Sequence, residues 1–171
     1  LTLSSFARSW SQKDMAAFKR YYQKSFDFLL MGALPLIVGA FFLGPQGMIL
    51  LSGESFKQSG EILRVLIIAA TTVFLSALYG NLINIIGKQR VMVWGYLASA
   101  IVGMIGYVLF IPTYGFWAAA WVTVSTEFII LIIAATIVTR TTLCIPSFIK
   151  TGKILISSMG MGGILFITQD F

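Results

Sequence analysis

Four long apolar stretches, separated by short polar loops, constrain this chain more than any other feature. A transmembrane helix needs about 20 consecutive apolar residues to cross the roughly 30 Å hydrocarbon core of a bilayer. Stretches of at least this length lie at 28–51, 62–86, 91–111 and 116–139. The first and third are uncharged, whereas the second contains only Arg64 and the fourth only Glu127. The sequence therefore predicts an all-α, polytopic transmembrane helix bundle.

Composition excludes several classes of protein. Charged residues make up only 11% of the 171 residues, whereas soluble domains contain roughly 25%, so neither a soluble enzyme nor a disordered chain is expected. His is absent and Cys144 is the single cysteine, which leaves no His or Cys cluster for a metal and no internal disulfide. Without a Gly-rich phosphate loop, an acidic pair in a loop or a Ser-His-Asp set, the sequence predicts no catalytic residue, metal site or cofactor.

The basic residues predict the orientation of the spans, because cytoplasmic loops are enriched in Lys and Arg. One side of the membrane would hold ten of the twelve: Arg8, Lys13, Lys19, Arg20, Lys24, Lys88, Arg90, Arg140, Lys150 and Lys153. The other side would hold only Lys57 and Arg64. We therefore expect a multi-pass membrane protein whose N-terminal arm is cytoplasmic. The net charge of +6 is dispersed over these loops, which argues against nucleic acid as a partner.

Both ends of the chain lie outside the four spans. Residues 1–27 are predicted to form a cytoplasmic amphipathic lead-in, with a helix over 11–26 that runs along the membrane surface into the first span. Ser11 and Asp14 resemble a capping box at its start. Its apolar face would consist of Met15, Phe18, Tyr22 and Phe26.

Residues 1–10 could alternatively end a preceding span, and 154–171 are predicted to be part of a further, incomplete span. Because the chain also starts without Met, it is expected to be a fragment of a larger protein.

Glu127 is the most informative single residue. An acidic side chain near the centre of a span costs a few kcal/mol on insertion scales, so it should face a partner or a water-filled cavity. Two hypotheses stay open: a proton, cation or polar-substrate site, and a structural hydrogen bond to hydroxyl groups on neighbouring helices.

The second span is the most polar. Thr72, Ser76, Tyr79 and Gly80 share one helical face, Asn84 borders that face, and Asn81 is expected to point away from it. Such a stripe predicts either a lined cavity, which we favour, or hydrogen bonds between helices. Arg64 either snorkels outward or offers a cation to an anionic substrate. Lys88 and Arg90 either fix the topology or contact lipid phosphate.

Small residues and prolines recur in two other spans. Gly95, Ser99, Gly103 and Gly106 form a stripe that predicts close helix packing, with a sliding surface as the alternative. Pro35 and Pro45 predict bends in the first span, which are either static or hinges.

Three segments resemble the Wzx-type flippases of O-antigen and other polysaccharides, within the superfamily that also contains MATE drug exporters and MurJ lipid flippases. They are LSGESFKQSGEILRVL at 51–66, NLINIIGKQR at 81–90 and FIPTYGFWAAAWVTVSTE at 110–127. The resemblance extends in order and spacing from Phe26 to about Thr142. Its motifs consist mainly of Gly, Pro and small residues, so they are typical of the superfamily more than of a substrate. Phe116 and Trp117 depart from the family, which usually has smaller residues there.

This resemblance implies about half of a two-bundle MATE-like transporter in the bacterial inner membrane. Its function would be translocation of a polyprenyl pyrophosphate-linked oligosaccharide by alternating access, for O-antigen, capsule or exopolysaccharide biosynthesis. Membrane lipid and other polysaccharide assembly proteins would be partners, and Arg64, Ser76, Tyr79, Asn84 and Glu127 would be cavity candidates. Coupling to H+ or Na+ would involve Glu127. A MATE-like multidrug exporter and, from another class, a membrane-embedded enzyme of glycan assembly are the alternatives.

Overall fold

The computed structural model describes residues 3–144, and all five of the α-helices in this range pack into one bundle. They are α1 (Leu3–Ser11), α2 (Met15–Ser52), α3 (Lys57–Ile85), α4 (Gln89–Tyr114) and α5 (Phe116–Thr142), with a 3-10 turn at Glu54–Phe56. Helices α2 to α5 are each long and apolar enough to cross a membrane. The prediction of an all-α helix bundle is confirmed. The partial span predicted at 154–171 lies outside the described residues.

The four long helices are not arranged in chain order. Helix α3 packs between α2 and α5, and α5 packs between α3 and α4. Helices α3 and α4 follow one another through a short turn at 86–88, yet they make few contacts with each other. The neighbours along the row are therefore α2, α3, α5 and α4, and a cleft separates α3 from α4 with α5 behind it.

Small residues make the seam between α4 and α5. A Cβ atom on Gly95 would lie 2.8 Å from Ile133 Cγ2, and one on Gly103 would lie 2.9 Å from Thr126 Cγ2. Ser99 donates a hydrogen bond from Oγ to the Thr126 carbonyl oxygen at 3.1 Å. The stripe thus brings the two backbones together, as the packing hypothesis predicts.

The start of α2 differs from the predicted capping box. Ser11 is the last residue of α1, and the N-cap of α2 is Asp14, whose carboxylate accepts a hydrogen bond from the Ala17 N–H at 2.9 Å. Lys13 has a φ of 56° in the turn between the helices, which lets α1 fold back against α2. The expectation of a helix beginning at Ser11 was wrong, because Ser11 ends α1 and the Asp14 side chain, three residues later, caps α2.

The aromatic face of the lead-in has a different partner from the one expected. Phe18, Tyr22 and Phe26 are buried on one face, as the spacing predicts, whereas Met15 is 41% exposed. Together with Phe6 of α1 they pack against the ends of α3 and α5. The segment is continuous with the apolar part of α2, so the lead-in and the first span form one helix, Met15–Ser52.

Candidate functional site

A polar cleft lies between α3 and α4. Its volume is about 640 Å³, which is within the usual range for ligand cavities. Helices α3 and α4 form the two walls, and Glu127 and Ile130 of α5 lie at the base. The polar side chains that line the cleft are Ser76, Asn81, Asn84, Gln89, Tyr96 and Glu127.

The cleft begins at the end of the bundle that carries the 86–88 turn. There the Gln89 side-chain amide donates to the Asn84 carbonyl oxygen at 3.4 Å. The carbonyl of Thr126, which precedes Glu127, accepts the hydrogen bond from Ser99, ten residues beyond Gln89. At a rise of about 1.5 Å per residue, Glu127 is about 15 Å deeper than the mouth of the cleft.

Glu127 is at membrane depth. It lies 11 residues from the start of α5 and 15 residues from its end, or about 16 and 22 Å. A bilayer core of about 30 Å therefore places its carboxyl group close to the midplane. Tyr96 of α4 reaches across the cleft toward α3. A Cβ atom added to Gly80 of α3 would lie 3.9 Å from the Tyr96 hydroxyl oxygen.

Two polar groups in the cleft have no partner within the described chain. Ser76 Oγ is buried without a hydrogen bond, and it is the single buried side-chain polar atom of residues 3–144 in that state. Glu127 is half-buried and makes no hydrogen bond or ion pair with the described residues. A buried hydroxyl or carboxylate without a partner is destabilising, and because Glu127 is partly exposed to the cleft, its carboxyl group favours water or a polar ligand there.

The structure brings together only some of the predicted site residues. Ser76, Asn84 and Glu127 line the same cleft. Asn81 also lines it, although its helical position led us to expect that it points away. The second span was assigned a single polar face, but the cleft follows α3 over a wider arc because α4 stands apart from it.

Tyr79 does not line the cleft. Its ring is buried in the cluster formed by the aromatic residues of α2, and its hydroxyl accepts a hydrogen bond from the Tyr22 hydroxyl at 2.9 Å. The two ring centroids are 6.1 Å apart in an edge-to-face arrangement. Tyr79 therefore stabilises the contact between α2 and α3, and it faces away from the cavity for which it was a candidate.

Arg64 also lies outside the cleft, in the contact between α2 and α3. Its Nε donates a hydrogen bond to the Phe41 carbonyl oxygen at 2.6 Å. Phe41 is four residues before Pro45, which has no N–H, so this carbonyl lacks the usual partner of a helix. Arg64 thus replaces the missing donor. Its guanidinium group also pairs with Glu61 at 2.8 Å and lies 5.3 Å from the Phe41 ring centroid.

Lys88 and Arg90 lie at the mouth of the cleft. They flank Gln89, both are exposed, and neither side chain contacts another described residue through a hydrogen bond or ion pair. Both of their predicted roles, fixing topology and contacting lipid phosphate, are compatible with this position.

Asn81 was expected to point away from the cavity, and Gln89 and Tyr96 were not predicted to line it. Gln89 lies in the predicted loop between the second and third spans, where the basic residues were the signal, and Tyr96 lies in a span whose signal was its stripe of small residues. Their polarity was visible in the sequence, but nothing in the sequence indicated that α4 stands beside α3 across a cavity.

A second, more apolar cavity of about 510 Å³ lies at the opposite end of α4 and α5. Its aromatic lining residues are Phe110, Tyr114, Trp117 and Trp121. Trp and Tyr are enriched where a span meets the membrane–water interface, and these positions at the ends of two spans fit such a belt. Among the described residues, no group of three His, Cys, Asp or Glu could hold a metal ion.

No protein family model, curated protein or solved structure matches the chain. The resemblance to polysaccharide flippases therefore depends on the three sequence segments alone.

Proposed function

We propose that this chain is part of a transporter that moves a polyprenyl pyrophosphate-linked oligosaccharide across the bacterial inner membrane by alternating access. The chain would form about half of a two-bundle, MATE-like protein. The observation that supports this proposal best is the polar cleft at membrane depth, with unpartnered groups at its base.

The chemistry of the cleft suits a glycan. Asn81, Asn84 and Gln89 offer amide donors and acceptors, and the hydroxyl of Tyr96 can both donate and accept. Sugar rings carry many hydroxyl groups, which need such partners once they leave water. A bilayer would otherwise oppose the passage of the glycan, whereas a lined cleft replaces part of its hydration.

The mouth of the cleft suits the phosphate end of the same molecule. Lys88 and Arg90 lie there, at the level where a phospholipid or prenyl pyrophosphate headgroup would be found. The excess of basic residues on this side of the bundle agrees with a cytoplasmic location, from which a lipid-linked glycan would be loaded.

The second candidate function is a cation-coupled multidrug exporter. The observation that favours it is Glu127, a carboxyl group without a partner in a cavity that also contains the Tyr96 ring. An organic cation could bind between these groups. In either transporter, protonation or Na+ binding at Glu127 would couple transport to an ion gradient.

The test is complementation in a strain from which the complete gene has been deleted. We expect the deletion to abolish surface polysaccharide and to accumulate lipid-linked oligosaccharide on the cytoplasmic leaflet. The complete gene should restore export. Glu127→Gln retains the size of the side chain, but export by this variant should be at least about tenfold lower than export by the wild type, because a group at a transport site acts in every cycle.

The matched control is Thr136→Val. Thr136 lies on the opposite side of α5 from Glu127, is exposed, and bonds only to the Ile132 carbonyl of its own helix. Its expression and export should equal those of the wild type. Unchanged surface polysaccharide in the deletion strain would refute the flippase, and a simultaneous loss of organic-cation efflux would favour the exporter.

A further inference from the structure

The charges of the cleft are separated along its length. Of the described residues that line it, Glu127 at the base is the only one with an acidic side chain, and no Lys or Arg is among them. The nearest basic residues along the walls are Lys88 and Arg90 at the mouth, about 15 Å away along α4. A bound molecule therefore meets positive charge where it enters and a carboxyl group where it ends.

The groups at the base complement hydroxyl groups. A carboxylate only accepts hydrogen bonds, and it can accept two from neighbouring hydroxyl groups of one sugar ring. Asn81 lies on the α3 wall, is exposed, and offers both an amide donor and a carbonyl acceptor. An uncharged sugar unit supplies both the donors that Glu127 needs and the partners that Asn81 needs.

A carboxylated sugar lacks this complementarity. Its carboxylate would lie beside Glu127 without a cation, so binding would bring two negative charges together or require one of them to take up a proton. Both alternatives weaken binding. The repulsion between the two carboxylates is stronger in the cleft than in water, because the cleft is less polar.

We propose that the base of this cleft binds an uncharged, hydroxyl-rich sugar unit and excludes a carboxylated one, while the phosphate of the same molecule stays at the mouth. This inference rests on the proposed function, because it names the class of sugar that the transporter accepts. Glu127 is then a specificity-determining residue as well as a polar group at membrane depth.

The experiment compares two probes on the complete protein, purified into phospholipid nanodiscs. One probe is a prenyl pyrophosphate-linked disaccharide of N-acetylhexosamine and hexose, and the other is the same molecule with the terminal hexose oxidised at C6 to a hexuronate. Each displaces a fluorescent prenyl pyrophosphate N-acetylhexosamine. We expect the neutral probe to bind at least about tenfold more tightly to the wild type.

Two variants test the cause of this preference. Glu127→Gln should reduce it to less than about threefold, and Ala77→Lys, which adds a cation at an exposed lining position deep in the α3 wall, should shift it toward the hexuronate. Thr136→Val should retain the wild-type preference. The Ala77 variant gains an interaction, so its result does not depend on loss of the fold.

The outcomes separate this inference from the proposed function. Equal binding of both probes to the wild type, or a preference that survives Glu127→Gln, would overturn the inference and leave the flippase intact. If neither probe displaced the fluorescent lipid from the wild type, both would be wrong.

Discussion

The contact between Arg64 and the Phe41 carbonyl predicts that loss of the guanidinium group lowers the free energy of unfolding. Replacement of Arg64 by Met retains the aliphatic stem but removes the guanidinium group. A hydrogen bond from a charged donor contributes about 1.5–3 kcal/mol, and the low end applies here because the side chain is 31% exposed. The partly exposed ion pair with Glu61 adds about 0–1 kcal/mol, and the cation–π contact adds about 0.5–1 kcal/mol. We therefore expect Arg64→Met to lower the free energy of unfolding by about 2–3 kcal/mol.

The same substitution should cost much less when Pro45 is replaced by Ala. The alanine would supply the backbone N–H that proline lacks, and the Phe41 carbonyl would regain its partner four residues along the helix. We expect the cost of Arg64→Met to fall to about 1 kcal/mol in the Pro45→Ala background, which is a coupling of at least about 1 kcal/mol. Unfolding in mixed micelles, followed by tryptophan fluorescence as the fraction of denaturing detergent rises, measures all four members of the cycle. Equal costs in both backgrounds would show that Arg64 does not replace the missing donor.

Two other contacts give predictions that the same unfolding measurement checks. Gly103→Val should lower stability by about 1–3 kcal/mol because its Cβ would lie 2.9 Å from Thr126 Cγ2, whereas Gly39→Val, with nothing within 4 Å of the added Cβ, should be close to neutral. Equal effects would mean that the α4–α5 seam is not tightly packed. Tyr22→Phe should cost about 1–3 kcal/mol because it leaves the buried Tyr79 hydroxyl without its donor, and the double replacement by Phe should cost less than this single change. A double variant that is less stable than Tyr22→Phe would contradict the hydrogen-bond argument.

The four long helices could be predicted because apolar length is a local property of the sequence. The stripe of small residues in α4 could be predicted as a packing face for the same reason, since residues four apart share one side of a helix. Neither signal identifies the partner helix. All four long helices are apolar on most of their circumference, so no stripe shows that α5 lies behind both α3 and α4. The cleft is a consequence of that order, and Gln89 and Tyr96 were missed with it.

Arg64 and Tyr79 show why residue type alone misplaced two site candidates. Each is polar and lies in or near a span, which predicted a cavity for both. Each instead satisfies a specific need of α2: Arg64 bonds the carbonyl that a proline leaves free, and Tyr79 accepts the hydrogen bond of a buried tyrosine. The Arg64 contact joins residues that are 23 positions apart in the sequence, and the Tyr79 contact joins residues that are 57 positions apart. Neither contact can be inferred from the local sequence.

The Ser76 hydroxyl differs in its hydrogen bonding from the other Ser and Thr hydroxyl groups of the bundle. Thr71, Thr72, Thr123, Ser125, Thr126, Thr136, Thr141 and Thr142 all donate to a carbonyl three or four residues earlier in their own helix. Ser99 donates across the seam to α5. The same intrahelical bond is open to any serine or threonine of a helix, so a buried hydroxyl has a ready partner. Ser76 makes no such bond, and it lines the same cleft as Glu127, which also lacks a partner within the described residues. The Ser76 hydroxyl is thus the exception in a bundle that pairs the other buried side-chain polar atoms of residues 3–144, and the partly exposed Glu127 carboxyl group in the same cavity favours a cleft that binds a polar molecule over one that only packs helices.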